Sequence, residues 1–243
     1  MEFGPATFGE LNADDYDALH DPGTTEESVA LIAELAGKGR ILELAIGTGR
    51  MALPLKQRGH DISGIEGSPA MVAKLREKPG GADIPVVIGD MADVGIEGPF
   101  DFTFLVFNTL FNLTSQADQV RCFRNVADRL APGGAFLVET FVPDFSHYHD
   151  NHSLRTMQVG FSSLWFEAKM HDPVEQVIDY QRVRITTGGT RLVPLKMRYA
   201  WPQEIDLMAN LAGLERAHRW GGWQREPFTA KSEMHVSVYR KPS

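Results

Sequence analysis

The strand-like run Ile41-Leu42-Glu43-Leu44 leads through Ala45-Ile46 into the turn Gly47-Thr48-Gly49 and then a helix-forming segment. Glycine lets a backbone turn tightly and approach a ligand closely, and the free N–H groups at a helix start face an acceptor. In open α/β sheets such a turn, at the carboxyl edge of a strand, is where ligands bind. Three acids stand at the ends of successive strand-like runs: Glu43, Glu66 and Asp90. An ionised carboxylate only accepts hydrogen bonds, so these positions suit hydroxyls, amino groups or a cation.

Two chemistries compete for this pattern. Gly47-Thr48-Gly49-Arg50-Met51-Ala52 satisfies the G-x-G-x-x-A dinucleotide fingerprint, and Glu66 lies close to the spacing of a ribose-binding acid. That reading is an NAD(P)-dependent oxidoreductase. Glu43, however, is an unhelpful neighbour for a pyrophosphate and suits a ligand with positive charge. S-adenosylmethionine carries a sulfonium, an ammonium, two ribose hydroxyls and an adenine amino group, and no phosphate. In sequence order Glu43 would act near the amino acid end, Glu66 on the ribose and Asp90 on the adenine.

These residues need a scaffold. From Gly39 to about Glu139 short apolar runs alternate with helix-like segments, the pattern of parallel strands joined by crossover helices. Strands are predicted near Arg40–Leu44, Asp61–Ile65, Pro85–Ile88, Phe100–Phe107 and Ala135–Thr140, with helices over Glu26–Ala36 and ending before Pro132-Gly133-Gly134. After Pro143, β-rich runs at Thr156–Ser162, Leu164–His171, Gln176–Thr186 and Arg191–Trp201 read as antiparallel, with a hairpin at Thr187-Gly188-Gly189-Thr190. A helix over Pro202–Gly213 and strands near Leu214–Trp220 and His235–Arg240 close the chain. The expected organisation is one domain over 1–243 with an inserted β-rich lid at 144–201.

The 243 residues, 43% of them hydrophobic, suffice for a sizeable core without staples. A net charge of −8 supplies no basic field, so no nucleic acid partner is expected. Cys122 is the single cysteine, which suits a reducing cytoplasm. Met1 to Glu10 lacks a cationic segment followed by an apolar run, so no secretory leader is expected. The apolar stretch Phe102–Leu113 falls short of the roughly 18 residues of a membrane span.

In combination and order, Glu43-Leu-Ala45-Ile-Gly47-Thr-Gly49, Gly64-Ile-Glu66-Gly-Ser68-Pro-Ala-Met71, Gly89-Asp90-Met91 and Leu130-Ala-Pro132-Gly133-Gly134 resemble the class I S-adenosylmethionine-dependent methyltransferases. The resemblance covers roughly residues 14 to 142. It departs at Ala45, where the family usually has a glycine. It implies a Rossmann-like, doubly wound α/β sheet of seven strands in the order 3-2-1-4-5-7-6, the last strand antiparallel. The cofactor set it implies is Tyr16, Glu43, Ala45, Gly47, Gly49, Glu66, Gly67, Met71, Asp90, Met91 and Phe107, with Met71 and the Met91 amide bordering the adenine.

The end of the fourth strand, Phe104-Leu-Val-Phe107-Asn108-Thr109-Leu110-Phe111-Asn112, looks in this family onto the transferring methyl, which nominates Asn108 and Phe111 for the substrate. No Asn-Pro-Pro-Tyr stands there, against base amines and glutamine side chains as acceptors. Methyl transfer is an in-line displacement helped by positioning and water exclusion, so a lid is needed. The insertion supplies one, and Trp165 and Tyr199 are its nominated substrate contacts among aromatics that include Phe166, Tyr180 and Trp201. The arrangement looks like the amino-sugar N,N-dimethyltransferases. Asp15-Tyr16-Asp17-Ala-Leu-His20 strengthens that comparison, since such enzymes begin with a Tyr-Asp segment that folds over the cofactor. Candidate catalytic residues are Tyr16, at the methionine end, and His147 and His149 as bases for a hydroxyl acceptor. No metal is expected, since His147, His149 and His152 are not ordered on one element. The expected function is methyl transfer to an N or O atom of a small molecule. A cofactor-binding protein without transfer stays open beside the oxidoreductase, and two copies pairing through the inserted sheet are expected.

Overall fold

The computed structural model describes residues 4, 6–20 and 22–243. The expectation about Met1 to Glu10 therefore falls in part on residues outside that description.

Helices α1 (Thr7–Asn12), α2 (Tyr16–Leu19) and α3 (Thr25–Ala36) precede strand β1 (Ile41–Leu44). Alternation then gives α4 (Ala52–Gln57), β2 (Ile62–Glu66), α5 (Pro69–Glu77), β3 (Val86–Ile88), β4 (Phe100–Leu105), a 3-10 turn (Thr109–Asn112), α6 (Gln116–Arg129) and β5 (Leu130–Phe141). Local chemistry starts these helices. The Ser68 hydroxyl accepts from Met71 N–H ahead of Pro69, and the Ser115 hydroxyl accepts from Asp118 N–H. Helix α6 buries Gln119, Cys122, Phe123 and Val126, one face at helical spacing.

β6 (His152–Val159), β7 (Ser163–Asp172), β8 (Val177–Thr186) and β9 (Gly189–Arg198) form a separate four-stranded antiparallel sheet. Helix α7 (Pro202–Leu211) and strands β10 (Glu215–Trp220) and β11 (Met234–Arg240) return to the first sheet. That sheet runs β10-β11-β5-β4-β1-β2-β3. Counting its strands along the chain gives 3-2-1-4-5-7-6, with β11 antiparallel to β5, the order the resemblance implied. All four residues of β1 are buried, as a central parallel strand requires. Apolar layers cover both faces, one built on Phe123, Val126, Ile205 and Met208, the other on Val29, Ile32 and Leu55.

Several boundaries differ from expectation, and β5 begins already at Leu130, so Pro132-Gly133-Gly134 lies within the strand rather than ahead of it. The first lid strand begins at His152 and ends at Val159, because Gly160-Phe161-Ser162 forms the turn, closed by Gly160 N–H donating to Ser163 O at 2.7 Å. Its exposed residues show no alternation of apolar and polar side chains to reveal it. Strand β4 stops at Leu105, since Phe107 and Asn108 both adopt left-handed backbone at φ 62°.

Two buried side chains clamp lid and first sheet together. Arg198, on β9, donates to Gln119 Oε1 at 2.8 Å, Gln176 Oε1 at 3.1 Å and Glu204 Oε1 at 2.7 Å. The Gln119 amide donates to Leu113 O at 3.0 Å and Arg198 O at 2.7 Å.

Candidate active site

The carboxyl ends of β1, β2, β3 and β4 open into a cavity of about 380 Å³ roofed by the lid and by α1 and α2. Ala45, Gly47, Glu66, Gly67, Met71, Asp90 and Met91 line one end. Arg182, Leu195 and Met197 of the lid line the other, and Phe107 to Thr114 include the wall between them.

Glu66 organises the cofactor end. Its Oε2 accepts from Gly47 N–H at 2.8 Å and its Oε1 from Ser68 N–H at 2.9 Å, tying the glycine turn to the start of α5. Burial raises its pKa, and these N–H groups work against that rise. Gly47, at φ 57°, faces the cavity, whereas Gly49 faces away: a Cβ there would stand 2.4 Å from Leu75 Cδ1. Ala45 also has positive φ, 53°, so the departure from the family's glycine is accommodated in left-handed backbone that favours glycine. Asp90 follows β3, and its Oδ1 accepts from Ala92 N–H at 2.8 Å.

Glu43 is buried beneath the turn and outside the cavity wall, and its Oε2 has no hydrogen-bond partner among the described residues. Burial holds its pKa well above the carboxylate range, Arg50 opposing. Arg50, which the sequence reading passed over, acts electrostatically on Tyr16, Glu43 and Glu139 and lies 5.1 Å from the Phe107 ring centroid.

The amino-terminal segment is fastened at both ends of the cavity. Thr48 donates to Asp17 Oδ1 at 2.5 Å, and Lys78 reaches Asp17 Oδ2 at 2.6 Å, which holds α2 on the glycine turn. Arg191 of β9 pairs with Asp15 at 2.5 Å. Tyr16 stacks on His20 with centroids 4.8 Å apart, and burial pushes its hydroxyl pKa up to about 12, so it stays protonated. Gly9 packs so closely on α5 that a Cβ would fall 2.4 Å from Ser68 Cβ. Gly9→Ala should push α1 off the cavity and weaken S-adenosylhomocysteine binding by roughly tenfold, measured by calorimetry. Unchanged affinity would show that α1 does not shape the site.

The structure does not bring all nominated residues together. His147 and His149 are exposed in the segment after β5, because Phe145 turns inward instead and stacks on His171 at 3.9 Å. Phe111 is fully buried against Phe141, and Tyr199 is buried with its hydroxyl 3.0 Å from His171 Nε2. Trp165 shares the lid face of Arg182 and Leu195 but stands one rung further out, opposite Arg184, whose guanidinium covers it at 4.5 Å. Tyr16, Phe107 and Asn108 do line the cavity, the Asn108 side chain accepting from Phe141 N–H at 2.5 Å. His20, Arg182, Asn112, Leu195 and Met197 were not foreseen. Among the described residues no cluster of histidine, cysteine or acids could hold a metal ion.

Glu139, also missed, is buried at the end of β5 and accepts hydrogen bonds from the Phe107 and Asn108 N–H groups. Burial raises its pKa to about 7, with Phe107 N–H lowering it. A raised acid favours the protonated form in the folded state, so this contribution is full below about pH 4.5 and is lost as pH rises through about 7. Glu139→Gln should therefore gain stability over wild type between pH 5 and pH 8, by about 1–3 kcal/mol at the upper end. Thermal melts across that range check it, and a constant difference would contradict it.

Fold and cavity together define a doubly wound α/β protein with a carboxylate-lined pocket at the carboxyl edge of its sheet. The Gly47 N–H, which a pyrophosphate would need, is spent on Glu66. Residues 41–134 match the family model described as a methyltransferase domain. The structure of the CcbJ methyltransferase from Streptomyces caelestis superposes with a TM-score of 0.93 at 36% identity, over 99% of this chain and 100% of that one. The cypemycin N-terminal methyltransferase of a Streptomyces species is 28% identical over 205 residues, 83% of each chain. A dTDP-4-amino-2,3,4,6-tetradeoxy-D-glucose N,N-dimethyltransferase of Saccharopolyspora spinosa is 33% identical over 137 residues, 53% of each. The chain belongs to the methyltransferase family and is an S-adenosylmethionine-dependent enzyme of class I.

Proposed function

We propose that the enzyme moves the methyl group of S-adenosylmethionine to a nitrogen atom of a small-molecule amine. One observation carries the choice of nitrogen. His20 is the imidazole on the cavity wall among the described residues, and its Nε2 accepts from Arg182 Nη1 at 2.9 Å while Nδ1 faces Tyr16 O at 3.3 Å. Burial and Arg182 both lower its pKa. It is thus neutral, with its basic nitrogen filled. The cavity carboxylates are engaged too, Glu66 with Gly47 and Ser68, Asp90 with Ala92, Asp118 with Ser115 and Arg121. A hydroxyl acceptor needs a general base, whereas a neutral amine brings its own lone pair. Two relatives named above act on nitrogen by their names, which supports the same reading.

The residues fit the cofactor. Glu66 can accept from the ribose hydroxyls, Asp90 from the adenine amino group beside Met71 and Met91, and Arg50 and Tyr16 stand toward the amino acid end. Bound there, the cofactor would supply an electrophilic methyl on a sulfonium. Attack by the acceptor nitrogen's lone pair would form the C–N bond and leave the C–S pair on sulfur, and the ammonium would lose its proton to water, since His20, Glu66 and Asp90 are already engaged. The chain's part is to hold the two in line and exclude water under α1, α2 and the lid.

A lone buried Cys122 supports a cytoplasmic location, and among the described residues no helix is long and apolar enough to cross a membrane. The acidic balance argues against nucleic acid as acceptor. Leu154, Met170, Ile185 and Leu192 share the lid's outer face and are exposed, which supports pairing of two copies through that sheet. The test is transfer of labelled methyl to matched panels of amines and alcohols. Methylated amines are expected, with rates rising as the amine deprotonates. Methylation of alcohols alone would overturn the nitrogen assignment, and no transfer to either panel would favour a binding protein.

A further inference from the structure

We infer that the methyl acceptor carries a carboxylate beside its nucleophilic nitrogen and that Arg182 of the lid binds this carboxylate; the nitrogen rests on the amine reading above.

The cavity is electrically divided. Its acids are Glu66 and Asp90 at the cofactor end and Asp118, which shares the Arg121 guanidinium with Asp90. Arg182 is the single lysine or arginine among the described residues that line it, and it stands at the other end with Leu195 and Met197. The lid fixes this guanidinium and leaves one edge of it unused. Nε donates to Glu167 Oε2 at 3.0 Å and Nη1 to His20 Nε2 at 2.9 Å, while Nη2 has no partner among the described residues. Nη2 is not buried, and 38% of the side chain is exposed, so its N–H groups are open to a ligand.

Glu167 does not cancel the charge. Its other oxygen is taken by Lys169 at 2.7 Å, whose ammonium also lies 4.7 Å from the Tyr180 ring centroid, so two cations share one buried carboxylate. One positive charge is left over, in a chain whose net charge is −8. Arg184 and Arg191 share this lid face but lie outside the cavity wall, the first over Trp165 and the second on Asp15. A fixed guanidinium with a free donor edge is suited to a planar carboxylate. The single surplus charge matches that group, whereas a phosphate ester brings about two near pH 7. The same charge repels an ammonium, so the acceptor enters with its carboxylate on the lid and its nitrogen turned toward the cofactor end.

The test needs no knowledge of the natural acceptor. S-adenosylhomocysteine analogues with nitrogen in place of sulfur are prepared with a graded series of carboxyalkyl arms, each beside the carboxamide of equal length. By calorimetry, wild type should bind the carboxylate at least about tenfold more tightly than its carboxamide at one arm length or more. Arg182→Met should reduce that ratio to about twofold or less, and Arg182→Lys, which keeps the charge without the fork, should retain part of it. Because the ratio is read within each protein, a role of Arg182 in merely holding the lid would weaken both arms alike and leave the ratio standing. A crystal of the wild-type complex with the preferred arm should place the carboxylate within hydrogen-bond distance of Arg182 Nη2, a result that needs no variant to fold. No preference at any length, an undiminished ratio in Arg182→Met, an arm directed elsewhere, or tighter binding of a phosphonate arm of equal length would each overturn the inference. The ratio does not depend on which atom takes the methyl, so failure of the amine reading shows separately, in the acceptor panels.

Discussion

Glu66→Ala is expected to weaken S-adenosylhomocysteine binding about a hundredfold, near 3 kcal/mol, with little loss of thermal stability. The carboxylate performs two tasks at once. It holds the Gly47 and Ser68 N–H groups, and it lines the cavity with lone pairs left to accept from the ribose as proposed above. Alanine frees both N–H groups and lets the glycine turn move away from α5. Stability suffers less, since burial already disfavours the ionised form and the variant removes that penalty. Glu66→Gln should fall between, because an amide offers one acceptor and turns a donor toward one of the two N–H groups. Titration calorimetry beside thermal melts separates the effects. Affinity unchanged in Glu66→Ala would remove the ribose assignment.

Arg198→Ala is expected to cost about 3 kcal/mol of stability, a drop of roughly 6–12 °C for a chain of this size. Arg198 is buried and serves Glu204, Gln119 and Gln176, so its loss leaves a half-buried carboxylate without its counter-charge, held only by the Gln116 and Gln176 amides, and the Gln119 and Gln176 carbonyl oxygens without this donor. Arg198→Met combined with Glu204→Met should recover part of the loss, since removing both charges removes the unpaired one. Cofactor affinity should stay near wild type in both variants, because Arg198 grips the acceptor end through Gln119. Equal melting temperatures for Arg198→Ala and wild type would show that the lid is held by other contacts.

These two residues mark the limit of what the sequence displays. Glu66 was legible because its meaning is local: a strand end, a glycine turn 19 residues before it and a helix cap beside it. The alternation of short apolar runs with helix-like segments made the parallel α/β class legible, whereas the sheet order came only with the resemblance that these motifs carry. Arg198 read only as one polar residue in a β-rich run. His20 and Arg182 are 162 residues apart, and no spacing rule joins them. Trp165 shows the opposite failure. Its aromatic character nominated it, and alternation put it on the right face, yet the register sets it one rung beyond the cavity. Asn112 did leave a trace, as a polar interruption in the apolar run from Phe102 to Leu113.

A crystal structure with S-adenosylhomocysteine tests the central claim most directly. The account requires the ribose hydroxyls on Glu66, the adenine between Met71 and Met91 with its amino group at Asp90, and the sulfur turned toward Asn112 and the lid. An adenosine lodged against the lid, or a sulfur facing away from the loop after β4, would contradict it.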